Sequence, residues 1–317
     1  MGPESFSVII PSWNGAQLLP ACLESLRAQS WRDFELLVVD NASSDDSARV
    51  VRDRFPEARF LQLLSNRGFS AAVNVGIARS SRPLVALLNQ DVEVHSNWLQ
   101  ALAQAAENHR ETGAFASRMM LYGQRDHFHS AGDLYGRDGI PVNRGVWQED
   151  KGQYAEVAQV FAACGGAAAY RRSMLNDVGG FDESFFMYLE DVDLAWRHQL
   201  AGWGAVYVPE AVAYHHLSAS GGGKTASFYT GRNTIYVLAK NMPAELLREY
   251  SRDILVAQLR VLREALRSWR GEAARARLRG QLSGLLTWPR MLRKREAIQR
   301  ARRVSLDALR DLLQPVD

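Results

Sequence analysis

A chain of 317 residues, 47% hydrophobic and 23% charged, builds one large packed domain with an appendage or two modest domains, and excludes a disordered protein. Its two cysteines, Cys22 and Cys164, have no CxxC spacing, which argues against a disulfide framework or a zinc knuckle and suits a reducing compartment. The net charge of +3 hides an asymmetry: residues 1–242 carry 21 basic against 26 acidic side chains, residues 243–317 carry 17 against 9.

Residues 6–10 (Phe-Ser-Val-Ile-Ile) read as a first strand, and begin too early to leave room for a signal peptide. A helix is expected over about 15–28, a strand over 34–40, a helix near 45–54, a strand over 59–63, a helix over about 69–79 and a strand over 84–88. This alternation, with near-continuous apolar strands, implies a mainly parallel, Rossmann-like α/β sheet covered by helices on both faces. Ligands of such sheets bind beyond the strand C-termini. The segments that end the strands are Pro11–Gly15, Asp40–Ser43, Ser65–Gly68 and Asn89–Asp91, all polar or turn-forming. Between about 120 and 160 the pattern turns irregular, with loops and short antiparallel strands expected. His127 and His129 alternate there, which suits either a metal site or one solvent-facing side of a hairpin, the second being the expectation.

Residues 165–170 are strand-like, and residues 205–208 and 212–215 read as two short strands. Between them lies the most informative stretch, Phe185–Arg197, where Glu190, Asp191 and Asp193 sit among aromatic and apolar residues. Charged groups are rarely placed in such company unless paired or used. Locally the cluster reads as the acidic first turn of a helix beginning near Leu189, with Arg197 pairing back to Asp193; the other reading is catalysis. From about 227 onward the chain is helical, with breaks near Pro243, Gly271 and Pro289. The expected organisation is a catalytic domain over 1–242 and a basic helical extension over 243–317. No uninterrupted apolar run approaches the roughly 18 residues of a membrane span.

No Walker A motif and no GxGxxG follows the first strand, so neither a P-loop NTPase nor a Rossmann dehydrogenase fits. Trp13 is placed to stack a base, Asp40 to accept from a nucleobase or ribose, and Asp91 to hold a divalent cation together with diphosphate oxygens. Taken singly, Asp40 and Asp91 suit a helix cap or an Asx turn. Taken with the acidic cluster, they suit a site.

The ordered blocks Ser7–Gly15, Leu37–Asp45, Asn66–Ile77, Leu87–Asp91, Gly179–Glu183 and Glu190–Leu194 resemble family 2 glycosyltransferases of the GT-A fold, most closely the bacterial rhamnosyltransferase type. The resemblance covers about residues 6–240. It implies that Asp191 is the general base, with Glu190 binding the acceptor or orienting Asp191. It implies that Asp91 and His215 hold the metal, Mg²⁺ or Mn²⁺, although the adjacent His216 competes for the second place. Pro11, Trp13, Asn14, Asp40, Asn66, Arg67, Asn89, Lys224 and Arg232 form the expected donor-binding set for a dTDP- or UDP-sugar. One departure stands out: the usual DxD metal motif is Asn89-Gln90-Asp91 here, so its first carboxylate is missing. The implied activity is inverting transfer, with L-rhamnose suggested by resemblance only, to a polysaccharide or polyprenyl-diphosphate-linked acceptor in cell-envelope glycan synthesis.

In the tail, Arg248, Arg252, Arg260, Arg263, Arg267 and Arg270 recur at three- or four-residue steps or close to them, interleaved with leucines. Leu285–Arg295 mixes apolar residues, Trp288 and cations. A basic amphipathic helix of this kind suits an anionic membrane surface; the plainer reading is a solvated helix packed on the domain. A cytoplasmic protein, peripheral on the inner face of the membrane, is the expectation. Two other functions fit less well. A sugar nucleotidyltransferase would want a glycine-rich basic loop after the first strand, which Pro11–Gly15 is not. A scaffold with a nucleic-acid-binding tail would want more aromatic residues for stacking, so no nucleic-acid partner is expected.

Overall fold

The computed structural model describes residues 4–217 and 223–315. Its first half runs β1 (Phe6–Ser12), α1 (Leu19–Arg27), β2 (Phe34–Asp40), α2 (Ser47–Arg54), β3 (Arg59–Gln62), α3 (Phe69–Ala78) and β4 (Leu84–Leu88). Then come β5 (Val92–Val94), α4 (Trp98–Asn108), β6 (Thr112–Leu121), β7 (Gln124–Ser130), β8 (Asp133–Gly136), β9 (Pro141–Asn143), β10 (Ala158–Val160) and β11 (Ala167–Arg171). After α5 (Arg172–Val178), α6 (Glu190–Leu200) and β12 (Gly204–His215) the chain is helical: α7 (Gly223–Lys240), α8 (Ala244–Glu249), α9 (Ser251–Arg267), α10 (Glu272–Thr287), α11 (Pro289–Arg300) and α12 (Leu306–Leu312), closed by β13 (Leu313–Gln314).

The large sheet has the order β10-β12-β6-β11-β4-β1-β2-β3, with β5 added on β12 and β7 on β6. β1 pairs parallel with β2 and β4, and β2 with β3, as the alternating helices require. β11 enters antiparallel between β4 and β6. Every residue of β1 and β4 is buried, because helices cover both faces. Their side chains still alternate: Val8 and Ile10 join one core and Ile9 the other. The two short strands expected over 205–208 and 212–215 are one strand, β12, whose pairing with β6 slips between Val208 and Val212. Pro209 lies in that slip; it has no N–H for the ladder.

A third core joins α6 and α7 to the C-terminal helices, with Trp196, Tyr135, Phe161, Met291, Leu309 and Leu313 among its members. β13 adds to β8 in a separate three-stranded sheet. The basic extension is therefore packed against the sheet domain. Beside this core runs a buried charge network. Lys240 Nζ lies 2.6 Å from both Asp182 Oδ2 and Asp193 Oδ1. Arg197 Nε donates to Asp193 Oδ2 at 3.0 Å, the expected i,i+4 pair, while its other nitrogens donate to the carbonyls of Val178, Gly179 and Gly180. From α11, Lys294 Nζ reaches Asp182 Oδ1 at 2.6 Å and Ser184 Oγ at 2.7 Å. Burial pushes both carboxyls up, but the cations outweigh it: Lys240, then Arg197, holds Asp193 below the usual range, and Lys240 and Lys294 do the same for Asp182.

Removing one partner of a buried pair leaves the rest uncompensated. Lys240→Met is expected to cost about 3 kcal/mol or more in urea unfolding; a loss under about 1 kcal/mol, the range of an exposed pair, would contradict the network's role.

Candidate active site

The loops after β1, β2, β3 and β4 are stitched together by side chains. Gln90 accepts from Ser12 Oγ (2.7 Å) and from the Trp13 amide (3.1 Å), and its own amide donates to the Trp13 carbonyl. Asn14 has a positive φ of 49° and accepts from the Ser44 amide, while its own amide donates to Ser43 Oγ. Asn41 accepts from the Arg67 amide and donates to the Gly68 carbonyl, tying the second loop to the third. Trp13 is left 49% exposed at the rim. Asp40 is fully buried and accepts from both the amide and the hydroxyl of Ser43. Asn66 is exposed and caps the Gly68 amide; Arg67 is exposed and paired with Glu183 at 2.8 Å. Pro11 is buried in β1 against Val39.

Asn89 continues from β4 and donates its amide to Gly166. Next to it Asp91 is buried, and its Oδ1 lies 3.4 Å from His215 Nε2 at the end of β12. The two adjacent histidines have different neighbours. His215 faces Asp91, whereas His216 stacks on Tyr122 and contacts Glu93. Behind His215 stands His129, Nδ1 to Nδ1 at 3.4 Å. The expectation that His129 faces solvent from a hairpin is thus corrected: β7 pairs with β6 beside β12, which turns it inward. Burial first, then the His215 charge, depresses the His129 imidazole to about 3, so it is neutral near pH 7.

The acidic stretch starts from a strained loop. Phe186, Tyr188 and Leu189 have φ of 66°, 64° and 63°, and none is glycine. Each costs of order 1–3 kcal/mol. What holds them is α7. The Asn233 amide donates to the carbonyls of Phe185, Met187 and Tyr188, and Arg232 donates to those of Ser184 and Phe185. Phe186 also stacks on Tyr229 and covers Gly68, where a Cβ would sit 2.5 Å from the Phe186 carbonyl oxygen. Arg232, expected at the diphosphate, therefore clamps the acidic loop. Lys224 stands exposed on the first turn of α7; Gly221 and Gly222, the rest of its expected glycine loop, lie outside the described residues.

This loop delivers the carboxylates to different places. Asp193 enters the buried charge network. Asp191 stays half-buried, its Oδ2 accepting from the Gly165 amide at 2.9 Å and its Oδ1 from the Val192 amide. Burial raises its carboxyl above the usual range, and these backbone donors offset only part of that. Asp133, Cys164 and Asp191 bring one ligand atom each within 4.8 Å of one another. Burial, then the Asp191 charge, lifts Asp133 to about 8, and burial and its acidic neighbours keep the Cys164 thiol protonated. Glu190 is buried and raised by burial and by Asp191, and its Oε2 has no hydrogen-bond partner among the described residues. One peptide step links the two halves: Gly165 donates to Asp191, and Gly166 accepts from Asn89.

Residues 7–179 match the model of glycosyl transferase family 2. The chain belongs to this family. It is 30% identical over 245 residues to the N-acetylglucosaminyl-diphospho-decaprenol L-rhamnosyltransferase of Mycobacterium tuberculosis, an alignment covering 69% of this chain and 78% of the relative. Its fold is GT-A. The mannosyltransferase PcManGT of Pyrobaculum calidifontis, solved with GDP-Man and Mn²⁺, superposes with a TM-score of 0.56 at 19% identity, over 98% of this chain and 79% of that one. S. aureus TarS 1-349 in complex with UDP does so with a TM-score of 0.54 at 17% identity, over 94% and 90%; of the longer TarS chain the match spans 43%. Family membership decides against the nucleotidyltransferase and scaffold readings.

Sequence reasoning missed Asp133 altogether. It weighed His129 only as a metal or hairpin residue, carried Gln90 only inside the Asn89–Asp91 block, and expected Asn233, beside Arg232, at the diphosphate rather than on the acidic loop. Asn233→Ala removes three hydrogen bonds at once, and of the three carbonyls only that of Phe185 keeps a second donor in Arg232, so a loss of about 1–3 kcal/mol is expected, together with a fall in turnover that exceeds any fall in nucleotide affinity. Unfolding curves and nucleotide titration check this; intact turnover in a folded variant would show that the clamp does not position the site.

Proposed function

We propose that this family 2 enzyme is an inverting glycosyltransferase that moves a sugar from a UDP or dTDP donor to a hydroxyl of a polyprenyl-diphosphate-linked glycan. The observation that carries the reading is the opposition of the Asp91–His215 pair to Asp191 across Asn89 and the Gly165-Gly166 step. The M. tuberculosis relative, named for a decaprenol-linked N-acetylglucosamine acceptor and for rhamnose, supports the acceptor class and makes L-rhamnose the first sugar to try.

Asp91 and His215 fit a divalent cation. Two ligand atoms about 2.1 Å from one ion sit about 3 Å apart, close to the 3.4 Å between Asp91 Oδ1 and His215 Nε2. The mixed carboxylate and imidazole set suits Mn²⁺ at least as well as Mg²⁺, which accommodates the loss of a carboxylate at Asn89. A cation held there would act as a Lewis acid on the leaving diphosphate. Trp13 stacks the base at the rim, with Asn14, Asn66 and Lys224 lining the approach; Asp40, fully buried with both oxygens bonded to Ser43, would read the imino N–H of uracil or thymine once the Ser43 contacts open. Asp191 takes the acceptor O–H proton as the new C1–O bond forms on one face of the sugar. The old C1–O bond breaks on the other, and its electron pair leaves with the diphosphate. Glu190 beside it orients the acceptor. An elevated pKa makes Asp191 a stronger base than an ordinary carboxylate, and the buried loop keeps it so. The enzyme would work peripherally at the inner face of the cytoplasmic membrane; among the described residues no helix is long and apolar enough to cross one.

Asp191→Asn is expected to lower transfer by roughly 100- to 10,000-fold while calorimetric titration with UDP or dTDP stays within about two-fold. Asp91→Ala should instead abolish any gain in nucleotide affinity given by Mn²⁺. Loss of nucleotide binding in the Asp191 variant would undercut the assignment. The base must be ionised, so kcat should rise with pH through a limb centred above about 3.9, the value of a free aspartate. A limb at or below that value would contradict the raised carboxyl.

A further inference from the structure

On α9, Leu255, Leu259, Leu262 and Leu266 recur at steps of four and three, and Trp269 follows three residues on; all are exposed, Leu266 by 53%. At 100° per residue they form one stripe. The helix's inward contacts are made instead by Ala257 and Ala265. Arg252, Arg263 and Arg267 border the stripe, while Asp253 and Glu264 fall on the opposite side of the helix. α10 and its junction with α11 continue the theme: Leu282, Leu285, Leu286 and Trp288 are exposed, Leu286 by 72%. From residue 273 to 295 the chain has seven cations and no acid.

We propose that this outward face of α9 and α10 docks the enzyme on an anionic phospholipid bilayer. The inference rests on the reading of the acceptor as lipid-linked. Exposed leucines and tryptophans beside arginines complement acyl chains below and anionic headgroups around them. A second copy fits less well: across a twofold the arginine borders would meet each other with no acid on the stripe to pair with. The face also lies one helix from the chemistry. α10 packs on α7 through Gly280, where a Cβ would stand 2.1 Å from the Phe228 carbonyl oxygen, and α7 carries Arg232 and Asn233, which clamp the acidic loop.

The test is sedimentation of the full-length protein with phosphatidylglycerol vesicles, with phosphatidylcholine vesicles as the neutral comparison. Wild type should bind the anionic vesicles, less so as salt rises. Arg263→Gln with Arg267→Gln should weaken binding about five-fold per arginine, and Leu259→Glu with Leu266→Glu should abolish it. These side chains are exposed, so both variants should keep nucleotide binding and full transfer to a short-chain, water-soluble acceptor. No binding of wild type at low salt, or unchanged binding by both variants, would overturn the proposal. So would a wild-type dimer dissolved by the leucine changes, which would give the face to a second copy, or displacement from vesicles by oligonucleotide. Vesicle binding without transfer to the soluble acceptor would instead sink the functional reading and leave the surface standing.

Discussion

Everything in the site depends on a loop that the chain does not favour by itself. Three left-handed, non-glycine residues in four positions turn the backbone before Glu190 and Asp191, and such residues persist only when their surroundings over-determine them. Two devices do so from outside the loop. The Asn233 and Arg232 side chains collect its carbonyls. The buried network of Lys240, Lys294 and Arg197 with Asp182 and Asp193 fixes both ends. One of those cations, Lys294, comes from the extension beyond residue 242, so the extension contributes to the framework of the acidic loop.

The network also sorts the acids. Asp193 has cations beside it and lies below the usual carboxylate range, which commits it to structure. For Asp191 and Glu190, two and three residues earlier, burial is the dominant influence and raises both. Carboxylates two or three residues apart are thus given opposite tasks by their surroundings. The parallel strands end in a rim of asparagine, serine and glutamine bonds that makes four separate loops behave as one wall.

The sheet was legible because its physics is local. Apolar strands of four to seven residues alternate with amphipathic helices, and every element of the first ninety residues formed close to the expected place. The site was legible in so far as its residues end strands: Asp40, Asp91 and His215 all do or nearly do. Less was visible where tertiary pairing decides. His129 turns inward because β7 lies beside β12 through β6, and no local pattern reports that. Asp133 reaches Asp191 only after the chain has returned through β11 and α5. Arg232 suggested a diphosphate ligand from its type, but its neighbours in space are the carbonyls of a strained loop.

If the cation and the base are held apart as proposed, one crystal can show it. Crystals grown with Mn²⁺ and UDP or dTDP, measured for anomalous scattering from manganese, would show the ion directly. A peak is expected within bonding distance of Asp91 Oδ1 and His215 Nε2, beside the diphosphate, with Asp191 left uncoordinated. A peak held by Asp133, Cys164 and Asp191 would contradict it, since the residue assigned to take the acceptor proton would then be a metal ligand.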